Sequence, residues 1–378
     1  MRLEPPVPAP VLAAIRAPFA LLGAPFVDAP VMLPLGLMLD LAGETMRGRL
    51  FLVQGDGEDA CLRPDFTIPI ARAHIAEGRG DGRYLYEGKA FRVAPRGSDR
   101  AEEFLQIGLE VFGGDSGPEA DAEVAGLAWR AAAAGGRDDL VLILGDVALF
   151  SAFIDAIGLA PALAARLKRA FARPGALAGE LTRAQAAEPS ARQGDRIAEL
   201  LAGLPEADAT AVLQDLWSIA GIQPVGGRSA GEIAHRLVQR GEAARAPRLS
   251  PAEARLIRDF IDLSGPPRPM LEAAAGLARA GGLDLEADLE AWDRRLDAII
   301  GHGAPEDRLI FHASFGRAFS YYDGFLFEVR SPALSDEAPV AGGGRYDSLP
   351  AHLGGASRGA VGCAVRPGRA WAQAGRAS

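Results

Sequence analysis

The stretch "FRVAPRGSDRAEEFLQIGLEVFG", residues 91–113, carries the most information about the fold of this chain. It opens with Phe91 and Arg92, and its second half alternates apolar residues with Gln106 and Glu110. An alternation with period two predicts a β-strand, and it places Gln106 and Glu110 on the same face. A polar face of this kind is either solvated or lines a polar pocket, and the pattern alone favours the solvated face.

Strand-like and helical patterns divide the chain into three parts. Short apolar runs bounded by Gly, Pro and Asp predict strands over 50–113, and similar runs joined by glycine loops return over 308–369. Between them, residues 160–300 are rich in Ala and Leu, with Arg and Glu at helical spacing, which predicts a helical block without strands. We therefore expect an α+β fold. The expected domains are a core over 1–155, a helical insertion over 156–304 and the second part of the core over 305–378.

Composition argues against several classes of function. A formal net charge of −9 over 378 residues argues against general attraction to nucleic acid, which requires a basic surface. Cys61 and Cys363 form no C-x-x-C pair, a pattern that suits a reducing cytoplasm. Prolines and Arg16 interrupt the first apolar stretch, so we expect neither a signal peptide nor a membrane span. The scattered histidines and the lack of G-x-S-x-G predict no metal, no cofactor and no covalent chemistry.

The stretch "CLRPDFTIPIARAHI", residues 61–75, is a second candidate for a site. Asp65 and Thr67 fall in the turn before a helix that we expect to begin at about Ile68. Either side chain could cap that helix, which the residues alone favour. A carboxylate beside a hydroxyl could also receive a substrate ammonium group, and capping does not exclude that role.

The stretches "SYYDGFLFEV" and "AGGGRYDSL" form the third candidate. Paired tyrosines can flank a small aromatic ligand, although they are equally common in a core. The glycines allow close approach of backbone, but "GGGRYD" lacks the Lys-Ser/Thr ending of a phosphate loop. By itself this segment is more typical of a tight hairpin than of a site.

Taken together and in order, these segments resemble the motifs of class II aminoacyl-tRNA synthetases, with histidyl-tRNA synthetase the nearest match. The resemblance covers about 20–150 and 305–370, and Pro30 in "GAPFVDAPVMLP" stands in the place of the motif 1 proline. "LRPDFT", "FLQIGLEVFG", "GRAFSYYDGFLFEV", "AGGGRYD" and "VGCAVRPGR" supply the other motifs. The resemblance implies an antiparallel sheet of six or seven strands flanked by helices, usually in a dimer, with the helical block as an inserted domain.

The resemblance also implies a pocket for histidine. Its expected residues are Asp65, Thr67, Arg92, Gln106, Glu110, Arg317, Tyr321 and Tyr322. In such a pocket the acids accept hydrogen bonds from the α-ammonium group, Gln106 and a tyrosine hydroxyl satisfy polar atoms, and tyrosine rings flank the imidazole. An apolar analogue would leave these polar atoms unpaired, which provides selectivity.

The nucleotide side of the same motifs departs from the family pattern. Ala94 replaces the glutamate of motif 2, and Glu102 stands where the family has an arginine. A carboxylate at that position would repel a triphosphate. Arg369 remains in motif 3 without its acidic neighbour, and the short remainder of the chain leaves no room for an anticodon-binding domain. We therefore expect this segment to hold a substrate without activating it, and we expect no tRNA binding.

This combination resembles the regulatory subunits of ATP phosphoribosyltransferase, which are paralogues of histidyl-tRNA synthetase. The resemblance implies a cytoplasmic, non-catalytic protein of histidine biosynthesis that binds L-histidine as a feedback signal. It would activate a short-form catalytic subunit and form a homodimer within a hetero-octamer. Two alternatives stay open: an enzyme that adenylates histidine, which Arg92, Arg317 and Arg369 would serve, and a scaffold whose pocket is vestigial.

Overall fold

An eight-stranded sheet carries strands from the first and third candidate segments, over 103–112, 325–330 and 341–345, whereas 61–75 lies outside it. The computed structural model of the protein describes residues 2–54, 57–78, 80–98, 100–114, 117–171, 175–185, 204, 206–220, 248–316, 319, 321–335 and 338–372. Within these ranges, no helix combines the length and the apolar character needed to cross a membrane.

The strands and helices follow one another along the chain with these bounds. The strands are β1 (Met32–Pro34), β2 (Leu52–Val53), β3 (Ala60–Leu62), β4 (Gly82–Phe91), β5 (Glu103–Phe112), β6 (Val141–Asp146), β7 (Ser264–Gly265), β8 (Leu309–His312), β9 (Phe325–Arg330), β10 (Ala341–Arg345) and β11 (Ala360–Val365). The helices are α1 (Ala9–Ala20), α2 (Leu35–Ala42), α3 (Thr67–Ala76), α4 (Pro118–Ala133), α5 (Val147–Ile157), α6 (Pro161–Phe171), α7 (Ala176–Gln185), α8 (Glu206–Ala220), α9 (Pro251–Ile261), α10 (Pro267–Gly281), α11 (Glu286–Gly301), α12 (Leu349–His352) and α13 (Pro367–Ala370). Two 3₁₀ helices span Glu44–Arg49 and Glu306–Arg308.

The large sheet has the order β4-β5-β11-β10-β9-β6-β8-β7, and β1-β3-β2 form a separate small sheet. All pairs in the large sheet are antiparallel except β6 and β8, which run parallel with Leu142 opposite Leu309. The prediction of six or seven antiparallel strands was therefore wrong in number and in this one pair, although the fold class is confirmed. Strand direction depends on where the chain re-enters the sheet, and an apolar run carries no information about that.

The helical block predicted without strands contains the two-residue strand β7. Ser264 and Gly265 pair with His312 and Phe311 of β8. A strand of two residues is too short to produce a periodic pattern, which is why the sequence did not predict it.

The chain forms two compact units. The first comprises residues 1–158, 168–176 and 256–378, and the second comprises 159–167 and 177–255. Helices α10 and α11 thus belong with the sheet, although the sequence assigned them to the insertion over 156–304. The domain division predicted from the sequence remains a prediction.

A buried ionic network explains why α11 packs with the sheet. Asp121 of α4 accepts a hydrogen bond from Arg295 of α11 at 3.0 Å. The same carboxylate forms an ion pair with Arg345 of β10 at 2.7 Å. Trp292 of α11 donates to Asp146 at 2.9 Å and is itself buried. These contacts join one helix of the predicted insertion to α4, β6 and β10.

In the second unit, an acidic residue of α7 joins this helix to α6. Glu180 is buried and accepts hydrogen bonds from Arg166 at 2.9 Å and from Arg183 at 2.7 Å. The backbone N–H of Leu249 donates to the carbonyl of Ala184 at 3.1 Å.

Candidate functional site

Seven of the eight residues predicted for histidine binding line one small pocket beside β5. They are Asp65, Thr67, Arg92, Gln106, Glu110, Tyr321 and Tyr322. The eighth, Arg317, lies outside the described residues. The pocket has a volume of about 20 Å³, which is enough for one water-sized group.

Strand β5 places its polar residues in the interior and not in solvent. Gln106 lies opposite Gly88 of β4, and Glu110 lies opposite Gly362 of β11. Gln106 and Glu110 are 4% and 1% exposed, so the solvated face favoured by the pattern alone was wrong. Thr67 of α3 contacts Glu110 directly, and this contact helps to cover the polar face of β5.

Two acceptor oxygens in the pocket have no hydrogen-bond partner among the described residues. These are Asp65 Oδ1 and Gln106 Oε1, and both are buried. The other oxygen of Asp65 accepts a hydrogen bond from the hydroxyl of Tyr321 at 3.1 Å. A buried acceptor without a donor is destabilising, so this pair of oxygens could accept hydrogen bonds from an N–H or O–H group in the pocket.

Asp65 stands at the start of α3, where the sequence favoured a capping role. Helix α3 begins at Thr67, one residue before the expected start, and its N-cap residue, Phe66, makes no side-chain capping bond. Burial raises the pKa of Asp65, while Arg92, the Tyr321 hydroxyl and the backbone amides of Thr67 and Ile68 oppose that shift. The amides thus stabilise the carboxylate electrostatically, but its Oδ1 stays without a hydrogen bond of good geometry.

Glu110 differs from Asp65 because both of its oxygens have partners. Thr67 donates to Oε1 at 2.8 Å, and the hydroxyl of Tyr346 donates to Oε2. Burial raises the pKa of Glu110 to about 8, although both hydroxyls oppose the shift. Near neutral pH this carboxyl group is therefore mostly protonated, and both of its oxygens have partners, whereas Asp65 Oδ1 has none among the described residues.

Aromatic rings close the pocket, and the sequence singled out only two of them. Tyr321 lies 4.7 Å from Tyr322 and 5.8 Å from Tyr346, measured between ring centroids. Tyr86 stacks on Phe66 at 4.4 Å and donates to the carbonyl of Cys363 at 3.1 Å.

Tyr86 and Cys363 line the pocket but were not predicted, and neither was Tyr346, whose hydroxyl reaches Glu110. Tyr346 lies in "AGGGRYD", a segment that alone is typical of a hairpin and that the resemblance includes among the family motifs without a role for this tyrosine. Cys363 lies within the motif "VGCAVRPGR" but had no assigned role, and nothing in the sequence pattern marked Tyr86.

Glycines make this crowded packing possible. A Cβ atom on Gly362 would overlap the carboxylate of Glu110, and one on Gly108 would overlap the ring of Tyr86 and the carbonyl of Cys363. These two positions therefore require glycine for a steric reason.

A second cavity of about 560 Å³ adjoins the small pocket. The two share Arg92, Gln106, Phe319, Gly342 and Ala364 as lining residues. The described part of the larger lining contains six arginines and one acidic residue: Arg49, Arg92, Arg100, Arg330, Arg366, Arg369 and Glu328. The larger cavity is therefore strongly basic, although the protein as a whole is acidic.

Glu102 does not occupy the position that the sequence suggested. It does not line the larger cavity among the described residues. Its carboxylate accepts hydrogen bonds from the backbone N–H of Arg2 at 2.9 Å and from Ala94 at 3.4 Å, and it forms an ion pair with the Arg2 side chain at 3.6 Å. The Arg2 amide is the main cause of the lowered pKa of Glu102. A bridge between Leu3 and Glu103 brings the N-terminal segment to Glu102, and the repulsion of a triphosphate by this residue stays a prediction.

Comparisons with known sequences match this chain to histidyl-tRNA synthetase-like proteins. The sequence model of the histidyl-tRNA synthetase family matches residues 14–222 and 210–369. An ATP phosphoribosyltransferase regulatory subunit from Brucella anthropi is 36% identical over 358 residues, covering 91% of each chain. One from Brucella melitensis biotype 1 is 35% identical over 355 residues, again covering 91% of each chain.

Solved structures agree on the fold. One described as an ATP phosphoribosyltransferase regulatory subunit/histidyl-tRNA synthetase from Bacillus halodurans gives a TM-score of 0.62 at 20% identity, covering 96% of this chain and 78% of that one. The structure of a histidyl-tRNA synthetase from a Nostoc species gives a TM-score of 0.59 at 15% identity, covering 95% of this chain and 69% of that one.

The family model and the fold thus define a protein of the histidyl-tRNA synthetase-like class, with the core of class II aminoacyl-tRNA synthetases. Within that class, the chain belongs to the ATP phosphoribosyltransferase regulatory subunit family.

Proposed function

We propose that this chain binds L-histidine and uses it to regulate a short-form catalytic subunit of ATP phosphoribosyltransferase. It activates that partner when histidine is scarce and restrains it when histidine is abundant. The observation that carries the proposal is the pair of buried acceptors without donors, Asp65 Oδ1 and Gln106 Oε1, at the end of a basic cavity.

The volumes suggest how an amino acid would enter. The small pocket holds only one water-sized group, which suits an ammonium group donating to Asp65 and Gln106. The carboxylate and imidazole of histidine would then extend into the adjoining cavity, past Arg92, which the two cavities share. The carboxylate of the ligand would meet a guanidinium there, a favourable charge-assisted contact.

Regulation requires that histidine bind the restrained state of the complex more tightly than the active state. A tenfold difference in affinity corresponds to about 1.4 kcal/mol of coupling free energy. By reciprocity, ligands that favour the active state weaken histidine binding by the same factor.

The chain itself is proposed to be non-catalytic. Adenylation of an amino acid by ATP needs Mg²⁺, which proteins bind mainly through carboxylates. Glu328 is the one carboxylate that lines the larger cavity in the described ranges, and Arg330 donates to it at 2.8 Å. We expect no histidine-dependent exchange of pyrophosphate with ATP, and measurable exchange would favour the adenylating enzyme instead.

We further propose a homodimer within a hetero-octamer, in the cytoplasm. Apolar side chains are exposed at Phe26, Val31, Met32 and Leu52, in and around the small sheet, and their burial would stabilise a subunit interface. The two cysteines are buried and free, which fits a reducing compartment.

Reconstitution with a short-form catalytic subunit tests the proposal. The wild-type chain is expected to raise phosphoribosyltransferase activity, and millimolar histidine is expected to lower it again. Asp65→Asn should still activate but should lose the response to histidine, because it removes the charge that receives the ammonium group.

Asp297→Asn, at an exposed carboxylate paired with Arg268, is the matched control and should behave as wild type. A failure to activate would contradict the regulatory role, and an undiminished histidine response in Asp65→Asn would contradict the pocket.

A further inference from the structure

Arg2, Leu3 and Glu4 form a strap that lies across the start of β5. Leu3 makes a parallel bridge with Glu103. The backbone amides of Glu102 and Glu103 donate to the carbonyl of Arg2 at 2.8 and 3.2 Å, and the amide of Glu4 donates to the carbonyl of Glu103 at 3.2 Å. The strap is thus attached to the sheet through its backbone, as a short strand would be.

The side chain of Glu4 attaches the strap to a second element, the start of α13. Its carboxylate forms an ion pair with Arg366, the residue before α13, at 3.2 Å. It also accepts a hydrogen bond from the backbone amide of Leu105 at 3.3 Å. The side chains of Glu4 and Arg366 are each only 9% exposed. This nearly buried contact therefore joins β5 to α13.

A glycine leaves the space that Glu4 fills. Gly368 stands beside Arg369, at the position where motif 3 of the family has an acidic residue. A Cβ atom on Gly368 would lie 2.3 Å from the carboxyl carbon of Glu4. The charge of Glu4 also opposes the fall in the pKa of Arg369. The strap thus brings a carboxylate to the place where the motif lacks one.

Through Glu102, the strap also holds one wall of the two cavities. The backbone amide of Arg2 donates to the Glu102 carboxylate at 2.9 Å, and that of Ala94 does so at 3.4 Å. The amide of Arg92 donates to the Glu102 carbonyl at 2.8 Å. Arg92 and Gln106 line both cavities, and Ala94 lines the larger one. The strap therefore supports a wall that the two cavities share.

The contacts of the strap favour its detachment as a unit. Its apolar side chain, Leu3, is 63% exposed, so the attachment is polar and buries little apolar surface. Segments with few buried apolar contacts open at a low free energy, without unfolding of the core. Pro5, Pro6 and Pro8 follow the strap, and the fixed φ of proline makes this connection to α1 stiff. The strap can therefore move while α1 stays in place.

We propose that the strap is a latch that opens while the rest of the protein stays folded, and that its opening loosens the wall formed by 92–94 and the start of β5. This goes beyond the proposed histidine response and does not depend on it. The latch acts on both cavities, because they share Arg92 and Gln106. In the open state a ligand would have to order this wall again, so the latched state binds ligands of either cavity more tightly.

Native-state hydrogen exchange of the full chain, followed by mass spectrometry, tests the proposal. We expect the amides of Glu4, Glu102 and Glu103 to exchange through an opening that low concentrations of urea leave almost unchanged. The amides of β9 should exchange only through global unfolding, which urea promotes steeply. Equal exchange rates and equal urea dependence in the strap and in β9 would overturn the proposal.

Two substitutions open the latch from opposite sides. Glu4→Gln removes the charge that pairs with Arg366, and Gly368→Ala places a Cβ atom against the Glu4 carboxyl group. Each should speed the exchange of the Glu102 and Glu103 amides by about tenfold or more, because each removes a charged contact that only the latched state makes. Unchanged exchange in both variants would contradict the latch. The urea dependence of the wild type tests the proposal even if a variant fails to fold.

Glu123→Gln is the matched control. Glu123 forms an ion pair with Arg83 of β4, and this pair stays intact when the latch opens. The variant should therefore exchange its strap amides at the wild-type rate. Equal acceleration in Glu123→Gln and Glu4→Gln would show that exchange in the strap follows global stability, and the latch would be excluded.

L-Histidine separates this proposal from the histidine response. Bound histidine should slow the exchange of the strap amides, because it favours the latched state. Histidine binding that leaves this exchange unchanged would contradict the action of the latch on the cavities. A strap that opens locally in a chain that binds no histidine supports the latch and contradicts only the histidine response. A chain that binds histidine, but whose strap opens only by global unfolding, contradicts only the latch.

Discussion

Two groups of arginines in the same unit of the protein, one buried and one mostly half-buried, differ in how their charge is balanced. Arg295 and Arg345 share the carboxylate of Asp121, at 3.0 and 2.7 Å. Burial lowers the pKa of Arg345, but the charges of Asp121 and Asp347 outweigh it, and the pKa ends above its ordinary value. In the basic cavity the pKa of Arg369 instead falls to about 10. The arginines around Asp121 are thus paired within the protein, whereas for Arg369 no carboxylate lies within ion-pair distance in the described part of the chain.

The largest expected loss of stability comes from breaking the ion pairs of Asp121. Asp121→Asn keeps the shape of the side chain but removes the shared charged partner of two buried guanidinium groups, which keep only Asp146 at 3.6 Å and Asp347 at 3.1 Å. We expect a loss of about 3–5 kcal/mol in the free energy of unfolding. Denaturant titration measures this loss. Asp297→Asn, which breaks an exposed pair with Arg268, should cost at most about 1 kcal/mol. Equal losses of unfolding free energy in Asp121→Asn and Asp297→Asn would show that the buried pairs of Asp121 stabilise the fold no more than an exposed pair does.

The next effect concerns the small pocket. Asp65→Asn replaces a charged acceptor by a neutral amide, and a hydrogen bond to a charged group contributes about 1.5–3 kcal/mol. Histidine affinity should therefore fall by about one to two orders of magnitude, as measured by calorimetry. Glu110→Gln should change it far less, because Thr67 and Tyr346 already occupy both oxygens of Glu110. The reverse ranking would mean that Glu110 receives the ammonium group.

Stability should depend on pH through Glu110. Its pKa is about 8 in the folded protein, well above that of an ordinary carboxyl group, so the folded state keeps a proton that the unfolded chain releases. This stabilisation is fully present below the ordinary carboxyl pKa and is lost as pH rises through about 8. Between pH 7 and 9 the loss should be about 1.4 kcal/mol. The side chain of Glu110→Gln cannot titrate, so this variant should lose less free energy of unfolding than the wild type between pH 7 and 9. Equal losses in the variant and the wild type would contradict the raised pKa of Glu110.

The smallest effect is expected in the basic cavity. Arg369→Gln removes a repelled charge but also a hydrogen bond to the carbonyl of Pro339 at 3.0 Å. These contributions oppose each other, so the free energy of unfolding should change by no more than about 1 kcal/mol without ligand. A loss as large as that of Asp121→Asn would show that this arginine is structural.

Much of this site could be predicted from the sequence because its residues lie in short motifs. The alternation in 103–112 fixed Gln106 and Glu110 on one face of a strand, and the resemblance supplied their partners Asp65 and Thr67. Their burial could not be predicted, since it depends on β11 and on α3, which are distant in sequence.

Other features depend on contacts that no local pattern reveals. The Arg2 backbone amide donates to the carboxylate of Glu102, and this contact spans 100 positions in the chain. The ion pairs that attach Glu286–Gly301 to the sheet span still more of the chain. Arg49 and Arg100 lie in different segments, so their convergence on one cavity followed from the fold and not from any motif.

The central claim is that the unpaired acceptors of the small pocket receive the amino group of histidine. Calorimetric titration with L-histidine and with imidazolepropionate, which lacks that amino group, tests it most directly. The account predicts one histidine bound per chain and no detectable binding of the analogue at the same concentrations. No binding of histidine at millimolar concentration, or equal binding of the two compounds, would contradict it.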